Sequence, residues 1–217
     1  NQQPWITGRV VSWDRLRPTD FPDSEVIVLA NVPRIPAARI GLLVDFVSAG
    51  GGLLVTLGDR IEAETWNKSA ASTGLSPVRL IETQQETGNE DENAVHAADA
   101  SLTRSWLARF RSEQGGGFVE ARFARWWSVD PAGGEEPARV IARLTNGHPL
   151  LITGRLGKGQ VAAWTSSLDA DWNTLPARPD YVSFLHELLF RLAGGHSARA
   201  AWAETCMMSG LCVDACP

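Results

Sequence analysis

Five groups of residues in this 217-residue chain have types and spacings that chemistry could use. The first is Gly50-Gly51-Gly52, which has the composition of a phosphate cradle. A phosphate loop follows a strand and opens a helix. Here the glycines follow a helical pattern and open an apolar strand pattern, so they read as a helix C-cap. The second is Gly157-Lys158-Gly159, which carries the Gly-Lys of a nucleotide-binding loop. The upstream glycine of that motif falls on Ile152, and Gly159 stands where Ser or Thr is required, so this is a hairpin turn.

The third group, Asp169-Ala-Asp171-Trp172-Asn173, has the alternating oxygen ligands of a calcium loop. Its sixth position is Thr174 instead of Gly, its twelfth is Asp180 instead of Glu, and Pro176 and Pro179 interrupt it. Turn capping is the better reading, with the loop carrying Trp172. The fourth is a Ser166 or Ser167 nucleophile with His186 and Asp169. Neither serine sits in a Gly-x-Ser-x-Gly elbow, and His186 lies on an amphipathic helical pattern. The fifth, His96 and His148, shows no metal-ligand spacing to a second histidine. The sequence therefore assigns no catalytic residue, no metal site and no cofactor. It offers ligand-binding candidates where α/β proteins bind ligands, beyond the C-terminal ends of strands: Asp59, Ser166, Ser167, Asp169, Asp171, Trp172 and Asn173.

The elements that must position these residues are organised around residues 25–59. Val26, Ile27, Val28 and Leu29 form a continuous apolar run, which suits a strand buried on both faces. Asn31, Pro33 and Pro36 end it and start a helix. Ile40, Leu43, Val44 and Val47 recur on one helical face, widened by Leu42 and Phe46. Leu53 to Leu57 is the next buried strand, so the unit is strand, crossover helix and parallel strand. Upstream, residues 5–13 read as a short strand and 15–23 as a loop. Downstream, 62–71 is a helical stub with Trp66 against the sheet, 78–81 a short strand, and 82–93 an acidic surface loop. A helix starting at Asp99 carries Leu102, Trp106, Leu107 and Phe110 on one face. Residues 118–129, 138–144, 150–155 and 160–166 have strand composition and form an antiparallel meander, with Asn146-Gly147 as one turn. A last helix from Pro179 shows a stripe of Val182, Leu185, Leu189 and Leu192.

Hydrophobic residues make up 44% of the chain and charged residues 21%, an ordinary globular composition. The net charge of −5 argues against a nucleic-acid binder. No uncharged apolar run is long enough to cross a bilayer, so no direct membrane insertion by this segment is expected. A first residue of Asn1 suits a fragment or processed product. Residues 1–195 form the expected α/β domain. Residues 196–217 hold all three cysteines (Cys206, Cys212, Cys216) and both methionines. They match no common zinc spacing, and they read as an unstructured or non-native extension, with a metal or disulfide role as the alternative.

Several stretches together carry a family resemblance: Val28-Leu-Ala-Asn-Val-Pro33, Leu43-Val-Asp-Phe-Val47 with Gly50-Gly-Gly-Leu-Leu54, Gly157-Lys-Gly-Gln-Val161, Ser167-Leu-Asp-Ala-Asp-Trp-Asn-Thr-Leu-Pro176 and Leu185-His-Glu-Leu-Leu189. They resemble the class I glutamine amidotransferase-like domain of bacterial membrane proteins related to aerotolerance-type Bat and von Willebrand factor A domain proteins. The resemblance implies a flavodoxin-like three-layer sandwich, here with an added antiparallel β-meander and without its first strand and helix. It implies a soluble domain tethered to a bacterial membrane. Amidotransferases of this fold use a Cys nucleophile with a downstream His and Glu. This chain has no cysteine before Cys206, and His186-Glu187 lacks the family spacing. The resemblance thus implies a non-catalytic module whose partner is the remainder of the membrane-anchored polypeptide or another protein. Two alternatives stand beside it. One is a hydrolase of the same superfold, Ser-dependent or metal-assisted through Asp59, Asp169 and Asp171. The other is a carbohydrate-binding module that stacks sugars on exposed Trp172 and Trp127.

Overall fold

The computed structural model describes residues 6–12, 15, 17, 19, 21, 24–87, 94–112, 117–132 and 136–194. The expected unit is present as β1 (Val26–Ala30), α1 (Ala37–Ser48) and β2 (Gly52–Thr56), with β1 and β2 parallel. Then follow α2 (Ala63–Trp66) with a π-helical continuation (Asn67–Ala71), β3 (Val78–Gln85), a 3-10 turn (Asp99–Ser101) and α3 (Ser105–Ala108). The rest is β4 (Arg125–Pro131), β5 (Arg139–Arg143), β6 (Pro149–Leu156), β7 (Gly159–Trp164), a second 3-10 turn (Leu175–Ala177) and α4 (Asp180–Leu192).

The main sheet has the order β1-β2-β7-β6-β5. β2 pairs parallel with β7, while β6 runs antiparallel to both β7 and β5, so four of the five strands point one way. Three of the four expected meander strands, β5, β6 and β7, do pair in sequence, but they are not an addition, and the fourth, β4, leaves them to pair with β3. The last of the three, β7, is the middle of the main sheet. The added antiparallel element is instead the two-stranded β3–β4 sheet, in which β4 starts at Arg125 and not at Phe118.

Strand alternation sorts the interior into two cores. Leu53, Val55, Val161 and Ala163 face Leu43 and Val47 of α1, together with Trp66, Leu80, Trp127 and Val129. Leu54, Ala162 and Trp164 face the opposite side, against Phe184, Leu188 and Leu192 of α4 and Phe110, Phe118 and Phe123. Phe184 is the hub there, with its ring 4.7 Å from Phe118 and 5.2 Å from Trp164. Two positions around the end of α1 need glycine, one for close approach and one for its backbone angle. A Cβ on Gly159 would lie 2.1 Å from the carbonyl oxygen of Val47, and Gly50, just past α1, has φ +125°.

Several expectations change. β1 is an edge strand: only Ile27 and Leu29 pack into the α1-side core, and Val28 is 41% exposed. An apolar run marks a strand but not whether it has one neighbour or two. The buried line of α4 is Phe184, Leu188 and Leu192, with Leu185 and Leu189 beside it and Val182 turned outward. The helix expected after Asp99 is broken, because Leu102, Leu107 and Phe110 reach the core from a 3-10 turn and a single helical turn. Residues 6–12 form no strand, and Val10 is fully exposed. β3 runs to Gln85, past the expected start of the acidic loop, whose residues 88–93 lie outside the described set. The cysteine-bearing segment 196–217 also lies outside it.

Candidate functional site

The C-terminal ends of the parallel strands carry every candidate residue. β7 ends at Trp164, and the next three residues, Thr165, Ser166 and Ser167, are buried. The Ser166 hydroxyl donates to the Arg125 carbonyl at 2.9 Å and accepts from Asn173 Nδ2 at 3.2 Å. Ser167 Oγ donates to the Asp169 carbonyl. Asn173 is 4% exposed, and its carboxamide is fully used: Nδ2 also donates to the Ser167 carbonyl at 2.8 Å, and Oδ1 accepts from Leu175 N–H at 3.0 Å. A buried carboxamide with these bonds pins the loop at both ends.

The same loop is laced to the segment before β4. Arg122 N–H donates to Thr174 Oγ1, Thr174 N–H to the Arg122 carbonyl, and Ala124 N–H to the Trp172 carbonyl. Tyr181 Oη donates to the Leu168 carbonyl. Burial, and secondarily the nearby Asp169 charge, push the Tyr181 phenol above its ordinary value. Asp169 and Asp171 are exposed, and Asp169 Oδ1 accepts from Asp171 N–H at 3.1 Å, a turn-capping bond. His186 is on the solvent side of α4, and no hydrogen bond joins it to either serine among the described residues. No group of three His, Cys, Asp or Glu side chains is placed to hold a metal among the described residues.

Asp59 lies one strand away, past the end of β2. Its carboxylate accepts from Asn31 Nδ2 at 2.8 Å, and Asn31 Oδ1 accepts from Arg60 N–H. Asn31, with φ +48°, thus ties the exits of β1 and β2 together from a left-handed conformation that Asn tolerates. Between the β2 and β7 exits sits Trp127. Its indole donates to the Gly58 carbonyl at 3.0 Å, and its N–H donates to the Thr165 carbonyl at 2.8 Å. Trp127 and Trp172 are 5% and 4% exposed and share one core. They are unavailable as stacking platforms, and they fill the crevice in which an α/β sheet commonly binds its ligand.

The strands' other end holds an open groove of about 490 Å³. Phe21, Leu42 and Phe46 give it an apolar wall, and Glu25 and Asp45 an acidic rim. Sequence reasoning placed Leu42 and Phe46 on the inward helix face. The groove and the role of Asn31 were not legible as site features, and Trp127, expected as an exposed platform, is instead buried. Asn31 could have been flagged as an Asn at a strand exit before Val-Pro.

No family model matches the chain, and no curated protein matches it. Among solved structures, it is similar to the cytoplasmic protein STM1381 from Salmonella typhimurium LT2, at 20% identity and TM-score 0.64, over 82% of this chain and 76% of that one. It is similar to the cytoplasmic protein STM3548 from Salmonella typhimurium, at 16% identity and TM-score 0.61, over 81% and 74%. It is also similar to the mmIFT52 N-terminal domain, at 12% identity and TM-score 0.52, over 82% and 80%. At these identities the likeness is one of fold.

Proposed function

We propose that this chain is a non-catalytic binding module of flavodoxin-like type, kin to the amidotransferase-like domains it resembles in sequence. It works within a larger, membrane-tethered bacterial protein by binding a partner polypeptide. One observation carries the reading. The crevice at the C-terminal ends of β2 and β7 is filled by Trp127 and Trp172, and the hydroxyls and carboxamide of Ser166, Ser167 and Asn173 are spent on internal bonds. A nucleophile needs a free hydroxyl beside a base; here Ser166 is buried and donates to a backbone carbonyl, while His186 faces solvent. Of the exposed carboxylates, Asp59 follows β2, whereas Asp169 and Asp171 follow β7.

The test is a panel of amide, ester and glycoside substrates given to the purified chain, with Ser166→Ala and Asp169→Ala variants alongside. No turnover above the variants is expected. Turnover that either substitution abolishes, in a variant that remains folded, overturns the proposal and returns the chain to the hydrolases.

A further inference from the structure

We propose that the outer edge of β1 is a self-pairing surface, through which two copies of this chain join their main sheets in antiparallel register. The hydrogen-bond ladder identifies the edge groups that have no partner among the described residues. Gly52 N–H donates to the Glu25 carbonyl at 2.9 Å, and Asn31 N–H donates to the Thr56 carbonyl at 3.0 Å. A parallel ladder uses alternate residues, so Ile27 and Leu29 also turn toward β2. The N–H and C=O groups of Val26, Val28 and Ala30 therefore point outward. Val28 and Ala30 are exposed as well.

The two edges of the sheet are treated differently. β5, at the far edge, carries Arg139 and Arg143, has two register irregularities, and has its last residue bonded on the outer side. Ala98 N–H donates to the Arg143 carbonyl, and Arg143 N–H donates to Ser101 Oγ. β1 reads Val-Ile-Val-Leu-Ala, with no charge, proline or bulge to discourage pairing. One edge is guarded and the other is ready to pair.

The occupant is a second copy because β1 and its flanks complement themselves. A strand edge meeting its own copy about a two-fold axis pairs antiparallel. With Val28 on the axis, the outward groups make about six backbone hydrogen bonds. That register sets Glu25 across from the partner's Asn31. It brings the partner's Arg34, an exposed cation, to the acidic rim of the groove formed by Glu25 and Asp45. Among the described residues, no basic side chain lines that groove. The two-fold axis repeats the ion pair on the other side and sets the two α1 helices on the same face of a joined sheet. This surface is separated from the closed crevice by β2, and it stands or falls apart from the non-catalytic reading.

The test is the solution mass of the 217-residue chain by light scattering and sedimentation over a range of concentrations. The expected result is a concentration-dependent dimer at twice the 23.5 kDa of one chain. Val28→Pro removes an outward N–H that β2 does not use, and proline is tolerated on such an edge. That variant is expected to keep its circular dichroism and become monomeric. Glu25→Arg and Arg34→Glu are each expected to weaken the dimer about tenfold or more, and the double variant to restore it. A parent chain that is monomeric throughout overturns the proposal. So does a dimer unaffected by Val28→Pro or by the two single charge reversals.

Discussion

Replacing Asn173 with Ala removes three hydrogen bonds at once, and the structure indicates what each loss costs. Leu175 N–H loses its acceptor in a buried position. An orphaned buried donor costs about 1–3 kcal/mol. The Ser167 carbonyl keeps a bond from Trp164 Nε1 at 3.1 Å, and the Ser166 hydroxyl keeps its bond to Arg125. Those two losses are milder, at about 0.5–1 kcal/mol each. The total is about 3 kcal/mol, or about 6–12 °C in Tm for a domain of this size. Urea unfolding followed by tryptophan fluorescence reads the difference directly, since Trp127, Trp164 and Trp172 surround the loop. Asp171→Ala is the control: its side chain is exposed, and a change within about 0.5 kcal/mol is expected. Asn173→Asp adds a signed test. It keeps the Leu175 bond but sets a carboxylate oxygen against the Ser167 carbonyl in place of a donor. Protonation restores the donor, so this variant is expected to fall short of the parent more at pH 7 than at pH 4. An Asn173→Ala variant within about 0.5 kcal/mol of the parent would refute the claim that these bonds hold the loop.

Three further outcomes are expected. Trp127→Phe keeps most of the buried ring but leaves the Gly58 carbonyl unpaired, so it is expected to lose about 1–2 kcal/mol in the same urea assay. Gly159→Ala drives a methyl against two backbone carbonyls, at 2.1 Å from Val47 O and 2.3 Å from Gly51 O, and is expected to abolish soluble folded protein on expression. The Asp99 carboxyl is held below its ordinary value, first by the Ser112 backbone N–H and then, against a desolvation penalty, by Arg111. A carboxyl with a depressed folded pKa gives stability that is present above its unfolded pKa of about 4 and is lost as pH falls through the folded value. Asp99→Asn is therefore expected to flatten the pH dependence of the urea midpoint below pH 4.

The local elements were legible because their signals are short-range. The apolar run of β2, the Gly50 cap, the Asn146-Gly147 turn and the Gly157 turn all appear where sequence chemistry puts them. Pairing was less legible. Nothing in residues 159–164 says that this strand inserts beside β2 instead of extending a separate meander; the contact between Gly159 and the end of α1 settles it. Composition also cannot separate an edge strand from a central one when both are five apolar-rich residues, as β1 and β2 are.

The candidate loop follows β7, as its sequence position implied, but its chemistry depends on a partner about 40 residues upstream. Ser166 reads as a nucleophile only while its hydroxyl is free, and the Arg125 carbonyl that binds it belongs to a strand whose docking site has no local signature. Likewise Trp172 reads as a platform only until Trp127, bonded to both strand exits, closes over the crevice. The same Ser-Leu-Asp-Ala-Asp-Trp-Asn block can thus serve opposite ends. With β4 elsewhere, it would line an open crevice with hydroxyls and carboxylates. With β4 docked, it becomes a fastening, and among the described residues the sheet's unpaired groups lie along β1 instead. Weakening the fastening and blocking the β1 edge should therefore act independently, since no bond described at one site involves the other. Asn173→Ala lowers stability, and Val28→Pro changes self-association while leaving the loop bonds intact. If the two effects prove coupled, the separation of a closed crevice from a pairing edge fails.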